Sequence, residues 1–348
     1  PPLEQRANPE ATAPVVARLL EAHASAYQIL HRDAAQRNQT IKVGLTQHTR
    51  AFEPWRNWHL FDRLAADFIQ QAFIWDIFDA IESGTYTMTD SEYQRTIDGL
   101  KGTQDYVGIN YYGRFYVQMD VDALDKGPVT HTRDPRDGEE LASDLDWALY
   151  PIGFSQILEE AWTRYGKPIQ ILENGIADAG TNDTLRQTFL VSHLREVWYA
   201  MNVLGIDIDG YFHWSHLDNF EWAEGFNPRF GLFAVDYENA FTRTARPSAA
   251  AAAGRAPAPR ARHAARGRPI HQYPCSRPWS CLPMRRACEL SDLDVRRPEA
   301  GCCDVRLYSV DRSSSVFRTH PKGRVKMRNK ILAPSPPMPA TSVAEVPL

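Results

Sequence analysis

Cysteine is missing from the first 248 residues of this chain; Cys275, Cys281, Cys288, Cys302 and Cys303 all fall in the remainder. A thiol-free body neither needs an oxidising compartment nor reveals one. Long apolar runs are missing too. No stretch of about 18 such residues occurs, which argues against a membrane-spanning helix. The opening PPLEQRANPEATAP lacks the basic-then-apolar pattern of a secretory signal, so a cytoplasmic setting is the default expectation. Net charge is small, −4 over 348 residues, but that figure averages two unlike pieces. Residues 1–248 carry 21 Lys+Arg against 36 Asp+Glu, a net of −15, and residues 249–348 carry 18 against 7, a net of +11.

The residues that are present divide in the same way. Eight of the nine tryptophans lie in the first piece and 13 of the 24 prolines in the second, which places a boundary near Ser248. At 43% hydrophobic content the chain has room for one large domain or two ordinary ones. The second piece opens with SAAAAAGRAPAPRARHAARGRP and closes with PSPPMPATSVAEVPL. Such composition buries too little apolar area to offset the entropy of ordering, so 249–348 is expected to be largely disordered. Its cysteines lack paired C-x₂-C spacing, which disfavours a zinc module. Arg-rich disorder binds polyanions without specificity, so no specific nucleic-acid partner is expected.

Within 1–248, helical and extended patterns alternate. Val15, Val16, Leu19, Leu20, His23, Ala26, Tyr27 and Leu30 recur at helical steps, with Pro14 suited to the first turn. Ile41–Leu45 reads as a strand, and a helix follows with Leu64, Phe68, Ala72 and Trp75 on one stripe. Asp105–Tyr112 has a strand's content. Ile152 to Tyr165 forms a helix stopped by Gly166-Lys167-Pro168. Strand Ile169–Leu172, a helix from about Asp183 to Leu204 and strand Gly210–Trp214 complete the series. This alternation implies βα units around a parallel sheet, either part of a barrel or an open doubly wound sheet. A complete (β/α)₈ barrel needs about 250 residues.

Two motifs carry chemistry. PIQILENG puts Glu173 at the end of an apolar strand, with Asn174-Gly175 turning the chain just after it. Alone, Leu-Glu-Asn-Gly is a common strand-to-loop turn. About forty residues on, GYFHWSHLDNFEWAEGFNPRFGLFAVDY interleaves Asp218, Glu221 and Glu224 with aromatic residues, a pattern that core packing does not explain. Aromatic faces beside charged acceptors suit a ligand that has both an apolar face and hydrogen-bonding groups.

Together the motifs resemble the C-terminal half of the family 1 glycoside hydrolases, the β-glucosidase type. The resemblance covers roughly residues 10–248 and implies strands 5–8 of a (β/α)₈ TIM barrel, α/β in class, with domain limits 1–248 and 249–348. It implies Glu173 as the nucleophile of retaining hydrolysis, with Leu172 standing where the family usually has threonine. Tyr112, in GINYY, matches the tyrosine that hydrogen-bonds the nucleophile, and Asn110 belongs to the same element. Tyr111, on the opposite face, is expected in the core. Trp214 is the implied platform under the sugar, Glu221 the acceptor for two hydroxyls and Trp222 the donor to a third, with Phe230 lining the cleft or packing in the core. His213 and His216 stand where the family has apolar residues; satisfied or surface positions are expected, and they are assigned no role.

A carboxylate at Glu221 would repel a phosphate dianion, so the implied substrate is an unphosphorylated β-glucoside or β-galactoside. No cofactor and no metal are implied. The family's acid/base element, Asn-Glu-Pro, is not found; Asn8-Pro9-Glu10 has the letters in the wrong order. A chain without that acid is expected to be weakly active or inactive alone, with a non-catalytic carbohydrate-binding remnant as the alternative. Arg246-Pro247-Ser248-Ala249 follows the family pattern and then departs abruptly, as a shifted reading frame would produce. Oligomeric state stays open.

Overall fold

The computed structural model describes residues 9–120, 122, 127–134, 136–253 and 307–309. The chain divides into a compact unit, Pro1–Asp311, and a second, Arg312–Leu348, none of whose residues is among those described. In chain order the elements are α1 (Pro9–Gln36), β1 (Thr46–Pro54), α2 (Leu60–Gln70), α3 (Asp76–Ser83), β2 (Thr85–Thr87) and β3 (Gln94–Thr96). Then come β4 (Val107–Gln118), β5 (Val129–His131), α4 (Pro151–Tyr165), β6 (Ile169–Asn174), α5 (Thr184–Asn202) and β7 (Ile208–His213). The hairpin of β8 (Phe233–Asp236) and β9 (Thr242–Ala245), helix α6 (Pro247–Ala253) and β10 (Leu307–Ser309) complete the described chain.

The main sheet has the order β1-β4-β6-β7-β10, with every neighbouring pair parallel, and β5 pairs antiparallel with β4. Alternate strand residues face opposite sides. Ile109, Tyr111, Ile169, Ile171 and Tyr211 form one face and are buried against Ala65 and Ala66 of α2, Phe154, Ile157, Leu158 and Ala161 of α4, and Val197 and Ala200 of α5. Burying each large aliphatic or aromatic side chain contributes about 1.5–3 kcal/mol, so this helix-covered layer holds the sheet together. A second cluster packs α1, through Ala13, Ala17, Leu20 and Ala24, on Tyr86, Ile97 and Leu100.

Several expectations need correcting. Pro14 lies inside α1 rather than in its first turn, because the helix already includes Pro9. The first strand begins at Thr46, not Ile41. Residues 41–45 only approach the ladder, with Val43 N–H bonded to Asp105 Oδ2 at 2.7 Å. The polar inner face of β1 hides it from a search for apolar alternation. The stripe Leu64–Phe68 of α2 faces outward and is exposed, while Ala65 and Ala66 face the sheet; small residues let the helix approach closely. The helix expected to reach Trp75 passes through a π-helical turn, Gln71–Trp75, before α3.

The stretch expected to be disordered contributes two elements. Helix α6 crosses Ser248, and Leu307–Ser309 pairs in parallel with Tyr211–His213. The average composition of residues 249–348 masked a three-residue segment able to satisfy the backbone groups on the outer side of β7. Residues 254–306 and 310–348 lie outside the described residues, as do the five cysteines.

Candidate active site

The face of the sheet away from the helices carries the candidate site. On β4, Asn110 and Tyr112 alternate with the core residues Ile109 and Tyr111 and so share this face. Regular alternation on β6 would send Glu173 to the core side with Ile169 and Ile171. The register shows why it does not. Ile109 pairs with Ile171, but Asn110 pairs with Glu173, leaving Leu172 as an extra residue on β6. This bulge re-aims the carboxylate to the face of Asn110 and Tyr112. Gly108 makes room for it, since a Cβ there would meet the Leu45 carbonyl at 2.5 Å and Leu172 Cδ1 at 2.8 Å.

Asn174 and Gly175 pin the strand end. The buried Asn174 amide donates to the Tyr111 carbonyl at 2.7 Å and accepts from the Tyr211 hydroxyl at 2.8 Å. Trp214 N–H bonds the Asn174 carbonyl at 3.0 Å, and a Cβ on Gly175 would sit 1.7 Å from the Trp214 carbonyl oxygen. Only glycine allows the two strand ends to approach so closely.

Tyr112 donates its hydroxyl to Glu173 Oε2 at 2.5 Å. Burial, followed by the negative charge of Glu173, pushes the Tyr112 hydroxyl well above its ordinary pKa, so it stays a donor. Glu221 lies in the loop after β7. Its pKa is raised by burial first and by the charge of Glu173 second, an effect opposed by a hydrogen bond from Trp214. Glu221 Oε2 is buried without a hydrogen-bond partner. Phe230 is buried and meets Tyr112 edge-on at 6.3 Å. Asn110 is buried, its side-chain oxygen accepting from the Thr46 hydroxyl at 2.7 Å. The structure thus brings Glu173, Tyr112, Asn110, Trp214, Glu221 and Phe230 to one end of the sheet. Trp222 is 77% exposed.

Asp218 belongs elsewhere. It is buried, pairs with Arg246 through both oxygens at 2.9 Å, and accepts the Gly231 and Val235 amides. Asp218 therefore has structural partners and Glu224 is exposed, which leaves Glu221 as the acid that core packing does not explain. His213 is buried with neither ring nitrogen hydrogen-bonded, against the expectation of a satisfied or surface position; the backbones of Asn174 and Phe230 approach without completing a bond.

Sequence reasoning missed His48, Arg50 and Trp147. Trp147 lies 5.7 Å from the Tyr112 ring and 6.4 Å from Phe230. His48 meets Tyr112 edge-on at 5.6 Å. Thr46, His48 and Arg50 alternate along β1, a signal that setting the strand at Ile41–Leu45 concealed. Among the described residues no group of three or more His, Cys, Asp or Glu is arranged to hold a metal ion. A separate surface cavity of about 480 Å³, lined by Thr130–Asp134, Asp137, Gly138 and Asp146, includes none of these residues.

The arrangement, one carboxylate pinned by a phenol and a second beside an indole among aromatic walls, suits a polyhydroxylated ring. A β-galactosidase from Sulfolobus acidocaldarius is 36% identical over 63% of this chain and 43% of its own length. The raucaffricine-O-β-D-glucosidase of Rauvolfia serpentina is 33% identical over 68% of this chain and 49% of its own. Among solved structures, a β-glycosidase from Pyrococcus horikoshii matches with a TM-score of 0.58 at 37% identity, covering 68% of this chain and 51% of that one. The chain spans about half the length of the relatives it matches. The family model for glycosyl hydrolase family 1 matches residues 4–251, and with the helix-covered parallel sheet this establishes that the chain belongs to that family, whose fold is the (β/α)₈ barrel.

Proposed function

We propose that this chain carries the nucleophile half of a retaining β-glycosidase acting on O-glycosidic bonds of β-glucosides or related β-glycosides. Glu173 attacks the anomeric carbon, and Tyr112 holds it in one rotamer through the 2.5 Å hydrogen bond. That bond, on the inner face created by the Leu172 bulge, is the observation that carries the reading. Trp214 is the platform for the sugar, and Glu221 accepts its hydroxyls through an oxygen that has no protein partner. Asn110 and Phe230 line the same cleft, and Trp222, at the surface, closes over the sugar and donates its indole N–H.

In this reading β1, β4, β6 and β7 are strands 5–8 of the barrel, and residues 1–248 are the C-terminal portion of the catalytic domain, with 249–348 a basic tail that lends α6 and β10 to it. Retaining hydrolysis needs a second carboxyl about 5–5.5 Å from the nucleophile, to protonate the leaving group. General acid assistance contributes about 10²–10⁴-fold, so the chain alone turns over glycosides weakly or not at all. A fluorinated glycoside that traps the covalent intermediate tests this in protein joined with a family 1 N-terminal half. Peptide sequencing is expected to find the label on Glu173. A label on any other residue refutes the assignment.

The unpartnered Glu221 oxygen also supports a second reading, binding without cleavage. Calorimetry on the chain alone with a glucose-configured inhibitor, run beside the turnover assay, separates the two.

A further inference from the structure

The inner face of β1 holds a buried cation that no carboxylate meets. Arg50 is 1% exposed and forms no ion pair among the described residues. Its guanidinium lies between aromatic rings, 4.4 Å from the centroid of Phe115 and 4.2 Å from that of Trp147. Nε donates to His48 Nε2 at 3.1 Å, and Nη1 has no hydrogen-bond partner. A buried charge without a partner is costly, and removing it is frequently neutral or stabilising. Its retention calls for a compensating interaction.

The register locates that interaction. Thr49 pairs with Tyr111 and Ala51 with Arg114, so Arg50 stands at a bulge against Tyr112 and Gly113, and its partner His48 meets Tyr112 edge-on. Tyr112 in turn donates to Glu173. The charged and titratable groups around this spot are His48 and Arg50 from β1, Tyr111 and Tyr112 from β4, Glu173 from β6, and, from the loop after β7, Glu221 with Glu224 acting on it. His48 accepts from the guanidinium, which has no lone pair to offer in return, and burial and Arg50 hold it neutral, with its pKa pushed down to about 4. Two carboxylates sharing a site repel, and one of them tends to take up a proton unless a positive charge opposes it. In aromatic, water-poor surroundings such a charge is screened far less than at the surface.

We propose that Arg50 is a positioning residue whose guanidinium serves as the counter-charge keeping Glu173 ionised beside Glu221, acting past Tyr112 without direct contact. This deepens, and rests on, the assignment of Glu173 as nucleophile. Arg50→Gln removes the charge while keeping a side-chain N–H; Arg50→Met removes both; Arg50→Lys keeps the charge. The full chain, labelled with ¹³C at glutamate side-chain carboxyls, is titrated by NMR, with the Glu173 signal identified through Glu173→Gln. Both uncharged variants are expected to raise the Glu173 midpoint by roughly one pH unit or more, with Arg50→Lys close to wild type. A midpoint that does not move in Arg50→Gln or Arg50→Met, whichever folds, overturns the proposal. An equal rise in Arg50→Lys also overturns it, because packing rather than charge would then be responsible. The measurement needs no turnover, so its failure leaves the labelling result on Glu173 standing.

Discussion

At the scale of single residues, the gathering of Glu173, Tyr112, Trp214 and Glu221 at one place was legible because they sit in short motifs. His48, Arg50 and Trp147 were not. Their chemistry depends on which face of β1 they occupy and on a loop before α4, and neither is marked by a local pattern. Burial also separates the two residues expected to contact the sugar hydroxyls. Glu221 has a buried oxygen without a partner, whereas Trp222 stands largely in water. A hydrogen bond to a charged acceptor contributes about 1.5–3 kcal/mol, equivalent to roughly 10–100-fold in affinity. Glu221→Ala is therefore expected to weaken binding of a glucose-configured iminosugar by at least about tenfold, and Trp222→Ala by less. Calorimetry on the two variants checks the order, and an unchanged affinity for Glu221→Ala would contradict the proposed role.

At the scale of elements, the sequence revealed which helices and strands exist better than where they begin and which way they face. The outward stripe of α2 and the late start of β1 share a cause: a local pattern marks neither which helix face meets the sheet nor a strand whose residues are largely polar. Three histidines within these elements set a pH dependence. Burial holds His48, His193 and His213 neutral, with pKa values pushed down from 6.5 to about 4, about 3 and about 3. The unfolded chain takes up protons on them below about pH 6.5, while the folded chain does not. Their stability contribution is thus complete above that value and declines as pH falls toward 3–4, by about 1.4 kcal/mol per pH unit for each histidine. Urea midpoints are expected to drop between about pH 7.5 and about pH 5, and His213→Ala to reduce the slope by about a third. An equally steep decline in His213→Ala would show that this ring is not among the groups responsible.

At the scale of the whole molecule, no described strand lies against the outer side of β1. Beside it Phe61, Leu64 and Phe68 of α2 are exposed, and Trp58 just before the helix is 80% exposed. An open parallel edge next to an apolar stripe promotes self-association. Sedimentation velocity is expected to show concentration-dependent association of the chain, reduced by joint substitution Phe61→Lys and Phe68→Lys. A monomer at all concentrations would disprove it. No helix among the described residues is long and apolar enough to cross a membrane.

The extra residue at Leu172 carries a consequence beyond its own position. The oxygen proposed to attack owes its address to a miscount between two neighbouring strands, two residues set against one. Any change that straightened β6, even a bulkier side chain at Gly108, would swing the acid beneath the helices and bring leucine to the proposed sugar site. The proposed chemistry would be lost although no polar residue had been replaced.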